Sequence, residues 1–390
     1  MKKQGNADYY DLNLIAVIIL LMGFGLVMLY STSAYRAGIR YNNDMYFFTR
    51  QARLAVIAIG LAIGVSIVDY HRLYRLSGLI YAGSILLLLM VRFTPLGRTI
   101  NGARRWIAIG PISFQPAEVS KIAVIVFVPM MIVKAGKKFR GMNAILPPLA
   151  AGGIQSLAVY VLTSNLSTAV IIALITCSII FVAQPDTKKM LLAAFGMVLF
   201  AAAVVAYIAV SGGNGGFRSK RILTWLHPEE YSAEGGYQIM QALYALGSGG
   251  FFGKGLGNST QKLGAVPEAE NDMIFSIICE ELGIFGGVIV VMLFLYLLYR
   301  LFFIAQNAPD LYGALMVTGI FTHIAAQVIL NICVVTNMIP TTGITLPFVS
   351  YGGTSILLLM AEMSIALSVS KRIRFRNTER DLWGEIADPE

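Results

Sequence analysis

The chain of 390 residues is 57% apolar and only 13% charged, roughly half the charged share of an ordinary soluble domain, which excludes a conventional soluble enzyme. Its 30 Lys and Arg against 21 Asp and Glu leave a net charge of +9. The basic residues fall in short clusters between long uncharged runs, so an anionic membrane or lipid fits the excess better than nucleic acid does.

Roughly 20 mostly apolar residues cross about 30 Å of hydrocarbon. Ten stretches qualify: Leu12 to Tyr30, Arg53 to Val68, Leu76 to Val91, Pro116 to Val133, Ile145 to Leu162, Leu166 to Ala183, Met190 to Val210, Asp272 to Tyr299, Leu311 to Thr336, and Gly353 to Ser370. The predicted fold is all-α: a polytopic membrane protein with ten transmembrane helices in one integral-membrane domain. A large extracellular loop, residues 211–271, separates the seventh and eighth spans, and residues 371–390 form a cytoplasmic tail. The first span follows Lys2 and Lys3 and ends in Ser31–Ala34, like a cleavable signal; the spans behind it make it a retained helix. Between the fifth and sixth spans only Thr163, Ser164 and Asn165 intervene. Their turn chemistry predicts a tight hairpin, whereas one kinked helix there inverts everything downstream.

Lys and Arg in the short loops set the orientation. With the N-terminus inside, Arg72 and Arg75, then Lys134, Lys137, Lys138 and Arg140, then Lys188 and Lys189, then Arg300, and finally Lys371, Arg372, Arg374, Arg376 and Arg380 are cytoplasmic, as are both termini. The outside keeps positive charge too: Arg92, Arg98, Arg104 and Arg105 crowd one short loop, and Arg218, Lys220, Arg221, Lys254 and Lys262 lie in the long one. An anionic ligand on the outer face accounts for this breach of the charge rule; contact with lipid headgroups is the alternative. Within the long loop, Gly235 to Leu256 mixes Gly with Tyr237, Ile239, Leu243 and Leu246, predicting a short amphipathic helix. There is no fixed-period repeat and no inverted pair of broken helices of the transporter kind.

Charges inside spans are expensive and hence candidates for function. Glu118 and Lys121 are three residues apart, so they share a helix face and can pair; Pro116 suits the first turn of their helix. Asp272 is placed at a helix N-terminus, where the macrodipole favours the ionised form, fit either for a general base or for an N-cap. Glu280 and Glu281 come two turns deeper, one predicted to face the bundle and the other to pair with a neighbouring helix. His323 and Glu362 complete the set, with packing roles at least as well supported as chemical ones. Cys177, Cys279 and Cys333 lie in apolar stretches without CxxC spacing or His neighbours, against both disulfides and thiolate-bound metal. P-loop, GxGxxG, HExxH and Ser/His/Asp patterns are all missing from the sequence.

Four stretches closely resemble the SEDS family (shape, elongation, division and sporulation), the FtsW, RodA and SpoVE proteins. They are Gly102-Ala-Arg-Arg-Trp-Ile107; Phe114-Gln-Pro-Ala-Glu-Val-Ser-Lys121; the run from Gly236 through Gly253-Lys-Gly-Leu-Gly-Asn-Ser-Thr-Gln-Lys262, Val266-Pro-Glu-Ala-Glu-Asn-Asp272 and Glu280-Glu-Leu-Gly283; and Pro340-Thr-Thr-Gly-Ile-Thr-Leu-Pro-Phe-Val-Ser-Tyr-Gly-Gly353. The motifs look more like the division and sporulation branches than the elongation one. The resemblance implies a peptidoglycan glycosyltransferase that polymerises lipid II at the outer face of the bacterial cytoplasmic membrane for division or sporulation. It implies partnership with a class B penicillin-binding transpeptidase and other divisome or elongasome proteins. The essential acid maps onto Asp272, within the stretch that also holds Glu268; the family's Glu and Lys map onto Glu118 and Lys121, and its loop Trp onto Trp106. Two departures are visible: Asn165 stands where many members carry Asp, and Glu270-Asn271 where His-Thr often precedes the key aspartate, adding a negative neighbour that raises the Asp272 pKa.

The mechanism implied is a single inverting displacement. Asp272 takes the proton of the attacking sugar hydroxyl, Arg104, Arg105 and Lys121 stabilise the leaving pyrophosphate, and Trp106 offers a flat apolar face to a sugar ring or to the membrane interface. No cofactor is evident; a divalent cation at the pyrophosphate remains open, with no clustered carboxylates demanding one. The competing readings are a flippase for the same lipid and a scaffold that activates the transpeptidase.

Overall fold

The computed structural model describes residues 10–100, 102–110, 112–139, 142–184, 217–231, 235–264 and 266–374. Its helices are α1 (Leu12–Tyr41), α2 (Tyr46–Ile67), α3 (His71–Phe93), α4 (Pro116–Ala135), α5 (Met142–Thr163), α6 (Leu166–Ala183), α7 (Phe217–Leu226), α8 (Gly236–Ser248), α9 (Ile274–Gln306), α10 (Leu311–Val335) and α11 (Ser355–Ser370). Among the described residues eight are long and apolar enough to cross a membrane: α1 to α6, α9 and α10. The shorter apolar α11 covers the tenth expected span, α8 falls where the amphipathic helix was expected, and the seventh expected span, Met190 to Val210, lies outside the described residues.

Polar side chains set the helix ends. Asp11 caps α1, accepting from the Leu14 amide at 2.9 Å, and Asp310 caps α10 through Gly313 at 2.8 Å. The hairpin between α5 and α6 is present: Ser164 takes the left-handed conformation and Asn165 caps α6 through the Thr168 amide at 3.1 Å. Asn165 thus has a local task that needs no charge.

At the centre, α10 packs against α4, α6 and α9, while α2 packs on α11. Lipid tails are as apolar as leucine, so close fit rather than hydrophobicity holds such helices together. Gly319 permits that fit: a Cβ there would stand 3.0 Å from Ile179 of α6 and 3.1 Å from Ile125 of α4. Outward-facing Val56, Ile63, Leu79, Leu157 and Val161 stay exposed, as a lipid-facing surface requires.

The structure departs from the sequence reading in two places that position the site. The short loop after α3 is a three-stranded antiparallel sheet, β1 (Gly97–Ile100), β2 (Ala103–Ile109) and β3 (Ile112–Phe114), in the order β1-β2-β3. Thr354, just before α11, donates to the Ser113 carbonyl at 2.8 Å and ties the sheet to the bundle.

The second departure is in α9, which breaks at Gly283 (φ 72°, ψ −172°) instead of running through. The backbone groups released there are taken up by the preceding loop. Lys254 and Gly255 donate to the carbonyls of Glu280 and Glu281 at 3.0 and 2.9 Å, while Ile284 and Phe285 donate to Gly250 and Phe251 at 3.0 and 3.2 Å. An interrupted helix is tolerated in a bilayer only when its polar backbone is satisfied in this way.

Candidate active site

Asp272 stands at the junction of the long loop and α9. The helix begins at Ile274 with Met273 as its N-cap, so Asp272 lies outside the helix and neither starts nor caps it, contrary to the sequence expectation. Its carbonyl accepts from the Asn331 side chain of α10 at 2.8 Å, and the same amide nitrogen reaches the Ile344 carbonyl at 2.7 Å. Asn331 thereby clamps the Asp272 loop onto the Pro340–Gly353 run. Gly343, at φ 72°, lies beside the carboxylate: a Cβ there would stand 3.9 Å from Oδ2, an ordinary contact.

The carboxylate is half-buried, and its Oδ1 has no hydrogen-bond partner. Burial, and then the nearby Glu268 charge, push its pKa up to about 7, with Glu270 adding to the rise and Arg221 opposing it. Desolvation and like charge therefore outweigh the helix-end field expected to keep it ionised. Glu268, itself at φ 54°, accepts from the Asn271 side chain. The other acid, Glu270, is buried against Arg36 at 2.7 Å, and its carbonyl receives the Tyr351 amide at 2.9 Å.

Arg221 on α7 is the cation electrostatically coupled to Asp272, and it also donates to the Thr341 carbonyl at 3.1 Å. Sequence reading counted it only as outer-loop charge, because no motif spacing marks it.

The basic residues of the sheet also make structural bonds. Arg104 turns back to donate to the Thr94 carbonyl at the end of α3. Arg105 closes the C-terminus of α5, donating to Thr163 and Ser164 carbonyls at 3.2 and 2.9 Å, and burial followed by Arg221 lowers its pKa from the ordinary value. Trp106, half-buried, sits across from Arg98 on β1. Lys254 and Lys262, expected to meet substrate, instead hold Glu280 and Glu281 at 2.7 Å each, and Ser31 adds a bond to Glu281 at 2.7 Å. Both acids are thus matched by the loop, not by a charged neighbouring helix.

A groove with two arginines in its wall lies beside α2. Asn43, Tyr46, Thr49, Arg50, Arg53, Ser113 and Thr354 line a groove of about 480 Å³. Neither arginine is paired with a carboxylate among the described residues. Tyr351 bridges this groove to the acidic loop: its ring packs edge-on against Phe47 of α2 at 5.1 Å, while its amide holds Glu270. Sequence reading started the second span at Arg53 and so left both arginines out of any site.

Deeper in the bundle Glu118 and Lys121 pair as their spacing required, at 2.8 Å. Lys121 Nζ also lies 2.8 Å from His323 Nε2, and His323 Nδ1 lies 2.7 Å from Glu362 Oε2. His323, Gln327 and Asn331 follow one face of α10 at four-residue steps. The charged cluster therefore sits about 12 Å along the helix from the Asn331 clamp on Asp272.

Residues 11–374 match a family model described as cell cycle protein, spanning FtsW, RodA and SpoVE. The chain is 36% identical over 366 residues to stage V sporulation protein E of Bacillus subtilis, covering 94% of this chain and 98% of that one. It is 34% identical over 374 residues to the probable peptidoglycan glycosyltransferase FtsW of Trichlorobacter lovleyi, covering 96% of both. A chain from a solved peptidoglycan synthase complex that coordinates polymerization and crosslinking superposes with a TM-score of 0.76 at 26% identity, covering 93% of this chain and 97% of that one. The Thermus thermophilus rod shape determining protein RodA gives a TM-score of 0.66 at 25% identity, covering 94% and 98%.

Proposed function

The chain belongs to the FtsW, RodA and SpoVE family of cell cycle proteins, and from that membership we propose that it is a peptidoglycan glycosyltransferase in which Asp272 is the general base. The observation that carries the assignment of the base is the Asp272 carboxylate itself: one oxygen without a partner, and a pKa pushed up to about 7 by burial and Glu268. A base poised near the working pH combines availability with driving force for taking a hydroxyl proton.

The substrate is lipid II, used as both donor and acceptor, with the N-terminus inside and the Asp272 end of the bundle facing outward. The acceptor sugar hydroxyl gives its proton to Asp272 as its oxygen attacks the donor sugar; the bond to the lipid pyrophosphate breaks, and the electron pair leaves with the phosphate. Inversion follows from this single displacement. Arg50 and Arg53 in their groove, together with Arg221, supply positive charge for a pyrophosphate, while Lys121, held by Glu118, supports the charge that develops on leaving. Arg104 and Arg105 shape the site by fixing the sheet and the α5 end. A class B penicillin-binding protein is the crosslinking partner, which the superposition with a synthase complex supports.

Purified protein, labelled lipid II and the transpeptidase test this reading. Glycan strands form with wild type and vanish with Asp272→Ala. Equal polymer from both, or lipid II crossing liposomes independently of Asp272, overturns it in favour of a scaffold or a flippase. Repeating the assay in EDTA measures what a divalent cation at the pyrophosphate contributes.

A further inference from the structure

Lys121 does not end at Glu118. Its ammonium also meets His323, and behind His323 stands Glu362; Lys121, His323 and Glu362 are all buried, drawn from α4, α10 and α11. We propose that His323, backed by Glu362, is a positioning residue that holds the Lys121 ammonium in place for charge stabilisation during transfer; this rests on the reading of Lys121 above.

Hydrogen-bond accounting fixes the arrangement. An ammonium carries only donors, so at 2.8 Å the His323 Nε2 is the acceptor. The ring proton is then on Nδ1, 2.7 Å from the Glu362 carboxylate, to which it donates. The carboxylate orients the ring and fixes its tautomer, as an outer carboxylate does for a metal-bound histidine.

Without that acceptor Lys121 keeps only Glu118, an i,i+3 neighbour on its own helix. The second anchor comes from a different helix, and the two together fix the ammonium in direction as well as charge. A buried carboxylate such as Glu362 is costly in a bilayer and is retained where it orients a functional group. The groups facing the ring are Lys121, with Glu118 behind it, from α4 and Glu362 from α11. Among the described residues no other charged side chain is hydrogen-bonded or ion-paired to the ring.

The test uses the full chain with lipid II and its transpeptidase. Gln at 323 keeps an acceptor toward Lys121 and a donor toward Glu362, so His323→Gln holds kcat within about threefold. The double variant His323→Leu with Glu362→Leu strands no charge, because both halves of the pair are replaced by apolar groups. It folds, with a modest fall in melting temperature from the acceptor lost to Lys121, and kcat per folded molecule falls at least tenfold while KM stays near wild type. A folded double variant with wild-type kcat overturns the proposal.

A readout independent of activity uses ¹⁵N-histidine labelling, which gives three ring systems to assign. The acceptor-type Nε2 signal of His323 shifts in Lys121→Met; an unmoved signal also overturns the proposal, whether or not the double variant folds. Polymer loss in Asp272→Ala is scored alongside. If that variant stays active, the general-base reading fails while the labelling result still judges the Lys121–His323 bond.

Discussion

Asn331 donates one side-chain nitrogen to two carbonyls, that of Asp272 at 2.8 Å and that of Ile344 at 2.7 Å. Two loops that are distant in sequence meet on a single amide of α10. Asn331→Leu leaves both carbonyls without that donor, at a cost of about 1–3 kcal/mol for an unsatisfied buried group. The expected outcome is a lower melting temperature together with a polymerisation rate reduced well beyond the loss of folded protein, because the Asp272 backbone loses its clamp. Thermal unfolding in detergent and initial rates per folded molecule check this.

The raised Asp272 pKa has consequences of opposite sign for rate and stability. In the proposed role of base Asp272 must be ionised, so the rate is expected to rise with pH through about 7. A carboxyl whose folded pKa exceeds its unfolded value stabilises the fold below the unfolded pKa, and this contribution is lost as pH rises through about 7. Asp272→Asn is therefore inactive yet melts higher than wild type at pH 8, with the difference closing toward pH 4. Paired melting curves across that range decide it.

Glu268 is the largest charge-based cause of that rise. Glu268→Gln removes a negative neighbour, so the limb of the rate profile attributable to Asp272 moves to lower pH. Rates measured from pH 5 to 8 at saturating lipid II show the displacement; an unshifted limb assigns the limb to another group.

Gly283 and Gly253 lie back to back where the loop crosses α9, both at positive φ. A Cβ at Gly283 would fall on the Phe251 carbonyl, and one at Gly253 on the Glu281 carbonyl. Gly283→Ala therefore costs several kcal/mol through combined clash and backbone strain, on the order of 3 or more. It is read as loss of monodisperse protein on solubilisation, whereas Gly247→Ala, with open space around it, is tolerated.

At the far end of the bundle Arg300 and the α1 cap Asp11 form a buried pair at 2.6 Å. Arg300→Ala strands that carboxylate, costing about 3–5 kcal/mol. Arg300→Met combined with Asp11→Asn recovers most of the loss while keeping an acceptor for the Leu14 amide. Melting temperatures of the two variants make the comparison.

Local spacing made much of this legible. Apolar runs located the membrane-length helices among the described residues, the Thr163–Asn165 turn marked a hairpin, and the i,i+3 step joined Glu118 to Lys121. What escaped has no local signature. Lys254 with Glu280 and Lys262 with Glu281 bridge loop to helix, and His323 with Glu362 joins two helices; topology alone brings these together. The β-sheet escaped because its strands are too short to show convincing alternation, and the Gly283 break because an isolated glycine inside an apolar run reads as a tolerated one. Arg104 carries a structural bond that its motif does not announce, since its guanidinium donates to a helix-end carbonyl while its Nε has no hydrogen-bond partner among the described residues.

The loop-stitched break in α9 also bears on how the protein is made. Residues 250–262 leave the ribosome before Glu280 and Glu281, and in the proposed orientation they must reach the far side of the membrane first. The acids cannot settle beneath the surface until Lys254 and Lys262 return to meet them. Docking of the first half of α9 is thus tied to the return of this loop, and the same event closes the chain around Asp272.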